Sequence, residues 1–395
     1  MTTILCLASY EKGAEFIREA KARGARTILL TVESLQEAAW PREAIDELYA
    51  MPDLSRIPDV INGVSYLARS EIIDRIVALD DYDVETAAAL REHLRLPGLG
   101  ASAAKLVRDK LAMRIGARRT GVPVPPFSPT FPYDSLRAYL AHIPGPWLLK
   151  PRSEVSTIGI RRIEHADDIW PVLDDLGDRQ SYFLLERFIP GDVFHVDSLV
   201  WDGRVVFAEA HQYARPPLDV FHGGGVAVSH TVARDTDAHR GLLEINADAL
   251  RALGVRRGPA HAEFIRDSEG RLYFLELGAR VGGANTAEMV EAATGVNLWR
   301  EWARIEMAGD EGYDPPVPRR DYGGVIVSLA RQEHPDTSAY DDPEIVWRLD
   351  KPHHVGLVLA APEPARVEAL LADYRDRFSR DFSATVPAYT ERPPA

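Results

Sequence analysis

Apolar and helix-period segments alternate along the first hundred residues. Short apolar runs at Ile4 to Ala8, Thr27 to Val32 and Ile76 to Leu79 have strand character, with helical patterns between them at Phe16 to Ala22 and Val60 to Ala68. That order predicts an open, mostly parallel α/β sheet. Ser102 to Arg119 reads as one long basic helix with Ser102 as its N-cap and Gly121 past its end. Pro123, Pro125, Pro126, Pro129 and Pro132 cannot continue it and mark a linker. Strands are expected at Leu148 to Lys150 and Tyr182 to Leu185, and a β-rich stretch from His195 to Ala210. Pro315, Pro316 and Pro318 form a second break, followed by strands near Val325 to Leu329 and Val355 to Leu359. An amphipathic helix over Pro364 to Arg377 is expected to pack on them.

At 395 residues the chain has room for roughly two or three packed units. With 46% hydrophobic and 27% charged residues it is neither disordered nor fibrous. A net charge of -14 argues against a general nucleic-acid or anionic-membrane surface, although local basic pockets stay open. The single cysteine, Cys6, excludes an intrachain disulfide and a cysteine metal cluster, which suits a reducing, cytoplasmic setting. The start resembles no leader peptide, and no apolar run approaches the roughly eighteen residues that span a bilayer, so a soluble protein without a membrane partner is expected. The first turn, Ser9-Tyr10-Glu11-Lys12-Gly13, lacks the glycines of a dinucleotide fingerprint and disfavours nicotinamide or flavin there.

The chain chemistry concentrates later. His261 to Ile265 and Leu272 to Gly278 flank the polar turn Arg266-Asp267-Ser268-Glu269-Gly270, a hairpin signal. With Glu269-Gly270 as the tip, counting back along both arms sets Glu263 opposite Glu276. Alternation then puts His261, Glu263, Phe274 and Glu276 on one face, continued by Gly278 and Arg280, and Ala262, Phe264, Leu275 and Leu277 on the other. Opposed carboxylates need a cation between them, and magnesium fits. Alternatively both acids lie on a solvated face or pair with arginines, and a one-residue slip would part them. Lys150-Pro151, ending a strand before the turn Ser153 to Gly159, suits phosphate oxygens or is a plain surface lysine. Tyr182 to Gly191 reads as a strand breaking into a connector that can receive a flat heterocycle, as hinges without ligands also do.

Taken in order, Asp109-Lys110-Leu111-Ala112-Met113-Arg114 before Gly121-Val122-Pro123, Lys150-Pro151, Glu186-Arg187-Phe188-Ile189, Glu263, and Glu276-Leu277-Gly278-Ala279-Arg280 resemble the ATP-grasp superfamily. The match covers roughly Lys105 to Gly309, and the N-terminal unit resembles the domain that precedes it in biotin carboxylase. The resemblance implies an α/β and α+β chain. Its parts would be an open parallel α/β domain over 1-104, a two-lobed ATP-grasp fold, with its small lobe over 105-185 and large lobe over 186-312, and a small C-terminal α+β element over 313-395.

By motif, the resemblance makes Lys110 and Lys150 phosphate-binding lysines, and the turn with Ser156 and Thr157 the loop over the phosphates. Glu186, Arg187 and Ile189 form the adenine hinge. His195 falls where relatives contact the ribose, a solvated strand histidine being the other reading. Glu263 and Glu276 become the metal ligands, for magnesium or manganese, and Arg280 reaches the substrate carboxylate or transferring phosphoryl group, unless it pairs with an acid such as Glu288. Many relatives carry Glu-x-Asn-x-Arg and use the asparagine as a metal ligand; Gly278 stands there in this chain, so a water or another side chain has to fill the place. Gly223-Gly224-Gly225 after His222 is a mobile-loop signal near the acceptor pocket of relatives, or a plain surface loop. The implied activity is ATP-dependent ligation of a small carboxylate to an amine through an acyl phosphate, releasing ADP and phosphate, in a chain compatible with a homodimer. The rival readings are a bicarbonate-using carboxylase, a small-molecule kinase and an ATP-binding regulator.

Overall fold

The computed structural model describes residues 1–155, 157–309 and 312–384. Strands β1 (Thr3–Ala8), β2 (Arg26–Val32), β3 (Glu47–Met51) and β4 (Arg75–Ala78) form a parallel sheet in the order β3-β2-β1-β4. The alternation along the first hundred residues thus produces the expected open α/β unit, with α1 (Ala14–Ala22), α2 (Ile57–Leu67) and α3 (Val84–Leu94) as its helices. β1 is buried along its whole length, which is why it reads as a continuous apolar run. Burial also pushes the Cys6 thiol up and keeps it inert.

The expected single helix over Ser102 to Arg119 is two. α4 (Ala101–Leu106) stops, and α5 (Lys110–Arg119) begins at Asp109, whose carboxylate caps the amides of Leu111 and Ala112 at 2.9 and 3.2 Å. Ser102 is therefore inside α4 and caps nothing. Arg152 grips the same aspartate through Nε at 3.0 Å, tying the break to the strand that carries Lys150.

β5 (Phe127–Pro129), within the proline-rich connector, joins β6 (Trp147–Pro151), β7 (Arg161–Ile163) and β8 (Phe183–Arg187) in an antiparallel sheet, with α6 (Tyr133–His142) and α7 (Ile169–Leu176) packed over it. The third sheet contains β9 (Asp192–Trp201), β10 (Arg204–Tyr213), β11 (Ala227–Thr231), β12 (Gly258–Arg266), β13 (Leu272–Gly278), β14 (Tyr322–Leu329), β15 (Ile345–Arg348) and β16 (His354–Ala361). Their order is β13-β12-β9-β10-β11-β14-β16-β15. The C-terminal strands continue this sheet, since β14 pairs with β11. The helix after α7 is α8 (Pro217–Gly223), followed by α9 (Asp237–Ala252), α10 (Thr286–Thr294) and α11 (Leu298–Met307). α12 (Pro364–Asp381) covers β14 and β16 with Val367, Leu371, Tyr374 and Phe378, spaced along one helical face. Of the expected glycine loop, Gly223 ends α8, and Gly224 and Gly225, both at positive φ, follow it outside the helix. Among the described residues no helix is long and apolar enough to cross a membrane.

The hairpin β12–β13 sets Glu263 opposite Glu276, as expected, but by a different route. Arg266 pairs with Leu272 and Phe264 with Phe274, a register that alone would carry Glu276 past its partner. One extra residue, Leu275, bulges out of β13 and restores the pairing. The bulge corrects the expected faces. Phe274 lies in the main core beside Phe264, ring centroids 5.9 Å apart, while Leu275 packs on the site side with Ile189, Val193 and Ile265.

Phe274→Ala should therefore cost about 3–5 kcal/mol in urea unfolding, the penalty of emptying a packed aromatic site, and Leu275→Ala distinctly less. Equal losses would contradict the bulged register.

Candidate active site

A cavity of about 280 Å³ lies between the second and third sheets, lined by Lys110, Lys150, Thr157, Glu186, Arg187, Ile189, Glu263 and Glu276. Most of the residues singled out from sequence therefore share one wall. Its floor is apolar, with Ile189, Val193, Ile265 and Leu275 in contact, and its far end is ionic. Ser156 lies outside the described residues. Thr157 holds a left-handed backbone, φ 60°, and its buried hydroxyl has no hydrogen-bond partner among the described residues, an arrangement common where a loop awaits a ligand.

Each cation at the ionic end is held by an acid. Lys150 donates to Glu186 Oε1 at 2.6 Å, and Arg114 of α5 donates to Glu186 Oε2 at 2.6 Å. Burial alone would raise the Glu186 carboxyl, but the two cations outweigh it and hold it below the ordinary range. The Glu186 side chain thus aims Lys150 into the cavity, a positioning task the hinge assignment did not include. Arg187 and Ile189 remain on the hinge wall, where the Arg187 amide is tied to Pro126 O at 2.8 Å. Lys110, at the first turn of α5, donates to Glu154 O at 2.5 Å and sits 2.9 Å from Glu276 Oε2.

His195 departs from expectation. It is fully buried, with Nδ1 2.7 Å from Asp197 Oδ2 and Nε2 2.8 Å from Ser229 Oγ, so neither nitrogen is left for a ribose and it does not line the cavity. It belongs to a polar grid on the site face of the third sheet. One row runs His211, His195, Glu263, Glu276 across β10, β9, β12 and β13, and the next runs Glu209, Asp197, His261, Gly278. Tyr213 donates to Glu263 Oε1 at 2.9 Å, and His261 Nδ1 is 2.9 Å from Asp197 Oδ1. Burial opposes charge on His261, yet Asp197 and Glu263 prevail and raise it to about 9. Asp197 is held well below the carboxylate range despite burial because His261 and His195 face it. Asp197 and Tyr213 escaped the sequence reading, although Asp197 follows His195 at strand period on the same face, a legible signal.

Arg280 does not pair with Glu288. Its Nε donates to Asp81 Oδ2 at 2.8 Å and its Nη1 to Val281 O at 2.8 Å. Asp81 follows β4, at the carboxyl end of a parallel sheet, where ligand-facing groups are common. Arg108 approaches it at 3.4 Å. A Cβ at Gly278 would come within 3.2 Å of Asp81 Oδ2, so glycine here leaves that carboxylate its place. Beyond Arg280, the segment 282–285 borders a second cavity of about 630 Å³, also lined by Lys12, Trp40, Gly225, Glu288, Trp299 and Lys351. Pro216 to Asp219 line the first cavity and Gly225 the second, so α8 and its turn run between them.

The paired carboxylates suit a hard divalent ion: they are opposed, half-buried and flanked by a single lysine. Asp81 supplies a pH test. Burial would raise it, but Arg280 and Arg108 lower it from 3.8 to about 2. The folded state therefore binds fewer protons than the unfolded one between those values, so the stabilisation is complete above pH 4 and fades as pH falls to 2. The stability gap between wild type and Asp81→Asn in urea titrations should narrow, by on the order of 2 kcal/mol, over pH 5 to 2. A constant gap would mean that the carboxylate is not held by these arginines.

Residues 143–288 match the model of the ATP-grasp domain. The L-arginine-specific L-amino acid ligase of Bacillus subtilis is 24% identical over 271 residues, 67% of this chain and 65% of that protein, so the match spans just under two thirds of that relative's length. A D-alanine–D-alanine ligase of Neisseria gonorrhoeae is 24% identical over 210 residues, 51% of this chain and 67% of that one. The crystal structure of an L-amino acid ligase from Bacillus licheniformis superposes with a TM-score of 0.78 at 17% identity, over 99% of both chains. The chain contains an ATP-grasp domain over residues 143–288, with homologues and structural neighbours among the carboxylate–amine ligases.

Proposed function

We propose that the protein is an ATP-dependent carboxylate–amine ligase that joins amino acids or closely related small acids and amines. The observation that carries this reading is the convergence of Lys110, Lys150, Glu263 and Glu276 on one cavity, with Arg280 between it and a second cavity large enough for small substrates. ATP would occupy the first cavity, its adenine against Ile189 and Leu275 and its phosphates toward the lysines. The acid and amine would meet in the second.

A carboxylate resists attack by an amine because its oxygen leaves poorly. In the first step a carboxylate oxygen bonds to the γ-phosphorus and ADP departs. The amine nitrogen then bonds to the acyl carbon, phosphate leaves with the former carboxylate oxygen, and the nitrogen loses a proton. Lys150 and Lys110 offset charge on the phosphoryl oxygens, and Arg280 offers a fixed guanidinium to the acid and to the oxyanion formed from it. A divalent ion bound by Glu263 and Glu276, magnesium or manganese, would supply further charge neutralisation of the triphosphate. Glu186, Arg114 and Asp81 keep these groups oriented, which is positional work rather than chemistry.

Incubation with ATP, magnesium and pooled amino acids should give a condensed product by mass spectrometry together with ADP and phosphate. Arg280→Lys should keep ATP affinity near wild type and cut product formation a hundredfold or more, in line with the roughly 2.7–4 kcal/mol of a lost oxyanion donor. Release of AMP, or ADP without a condensed product from any pool, would refute the ligase reading.

A further inference from the structure

The register sets His261 opposite Gly278 and one step along β12 from the carboxylate pair. Glycine leaves the space beside Glu276 without a side chain, and His261 shares the small recess there with Glu276, Gly278, Lys110 and Arg280. The two nitrogens of this imidazole have different surroundings. Nδ1 is fixed by Asp197 at 2.9 Å, whereas Nε2 lies 3.8 Å from Glu263 Oε1, beyond hydrogen-bond length. A histidine whose one nitrogen is anchored by a buried carboxylate and whose other faces acidic oxygens has the arrangement of a metal ligand with its orienting partner. The spacing of this one pair agrees: two ligand atoms each about 2.1 Å from one ion lie at most about 4.2 Å apart, and His261 Nε2 and Glu263 Oε1 are 3.8 Å apart.

We propose that His261 is a direct ligand, through Nε2, of the divalent ion held by Glu263 and Glu276, with Asp197 fixing the ring. The imidazole gives up its Nε2 proton to solvent as the metal–nitrogen bond forms. Gly282 leaves room for this pair, since a Cβ there would lie 2.8 Å from both His261 Nδ1 and Asp197 Oδ1. A nitrogen donor suits manganese and later transition ions better than magnesium, which takes oxygen ligands and keeps its waters. The site is therefore tuned toward manganese. This inference rests on the carboxylate pair being the ion site.

The test uses the full chain labelled with 15N-histidine, loaded with Mn²⁺ and ATP in the absence of acid and amine. Pulsed electron paramagnetic resonance should show coupling from a directly bound imidazole nitrogen, changed by the isotope and absent in His261→Asn. In calorimetry His261→Asn should weaken Mn²⁺ tenfold or more and Mg²⁺ less than threefold. Bound Mn²⁺ without nitrogen coupling in the wild type overturns the proposal even where the variant does not fold, and so does equal Mn²⁺ affinity in a folded His261→Asn or His261→Gln. Mn²⁺ binding that is unchanged in Glu276→Gln removes the carboxylate pair itself as the ion site, a failure distinct from loss of the histidine alone.

Discussion

Glu263 and Glu276 face each other across a β-ladder, and much of the site answers the repulsion between them. Like charges placed directly opposite across a ladder are destabilising. Lys110 stands beside Glu276, while His261 and Tyr213 stand beside Glu263 and lower its carboxyl against the opposing effect of burial. Two opposed carboxylates add little to stability alone. Under the proposed function they would take up a cation together with a polyanion.

The remaining charges obey the same rule. Lys150 is held by Glu186, and Arg280 by Asp81 from the N-terminal sheet, so both cations are already oriented. Removing one partner from such a buried pair leaves an uncompensated charge, which explains why each acid sits at the end of a rigid strand or beside one. Groups fixed before the substrate arrives need not reorganise as charge develops on a phosphoryl group or an oxyanion. The parallel sheet thus reaches the candidate site: through Asp81 it sets where Arg280 points.

The alternation of the first hundred residues, the C-terminal strands and the helix from Pro364 could be read directly, because buried strands and amphipathic helices leave periodic patterns. The glutamate pair was also legible, but counting from the turn ignored the bulge at Leu275, which no local pattern announces and which moved Phe274 into the core. The helix over Ser102 to Arg119 looked continuous because Asp109 is a tolerable helix residue. Its carboxylate caps the helix locally and is also gripped by Arg152, far away in sequence. His195 is the clearest failure: a strand histidine has the same pattern whether it meets solvent, a ribose or buried Asp197 and Ser229. Lys150 with Glu186 and Arg280 with Asp81 are long-range pairs, and they become visible only once the sheets are assembled.

The route of one oxygen atom tests the account at its centre. If the carboxylate attacks the γ-phosphorus, an acid substrate labelled with 18O in both carboxyl oxygens must pass one label to the released phosphate and keep the other in the amide. The account predicts one 18O in inorganic phosphate for every amide bond formed, with unlabelled ADP. Label recovered in AMP, or phosphate free of label while product accumulates, would contradict it.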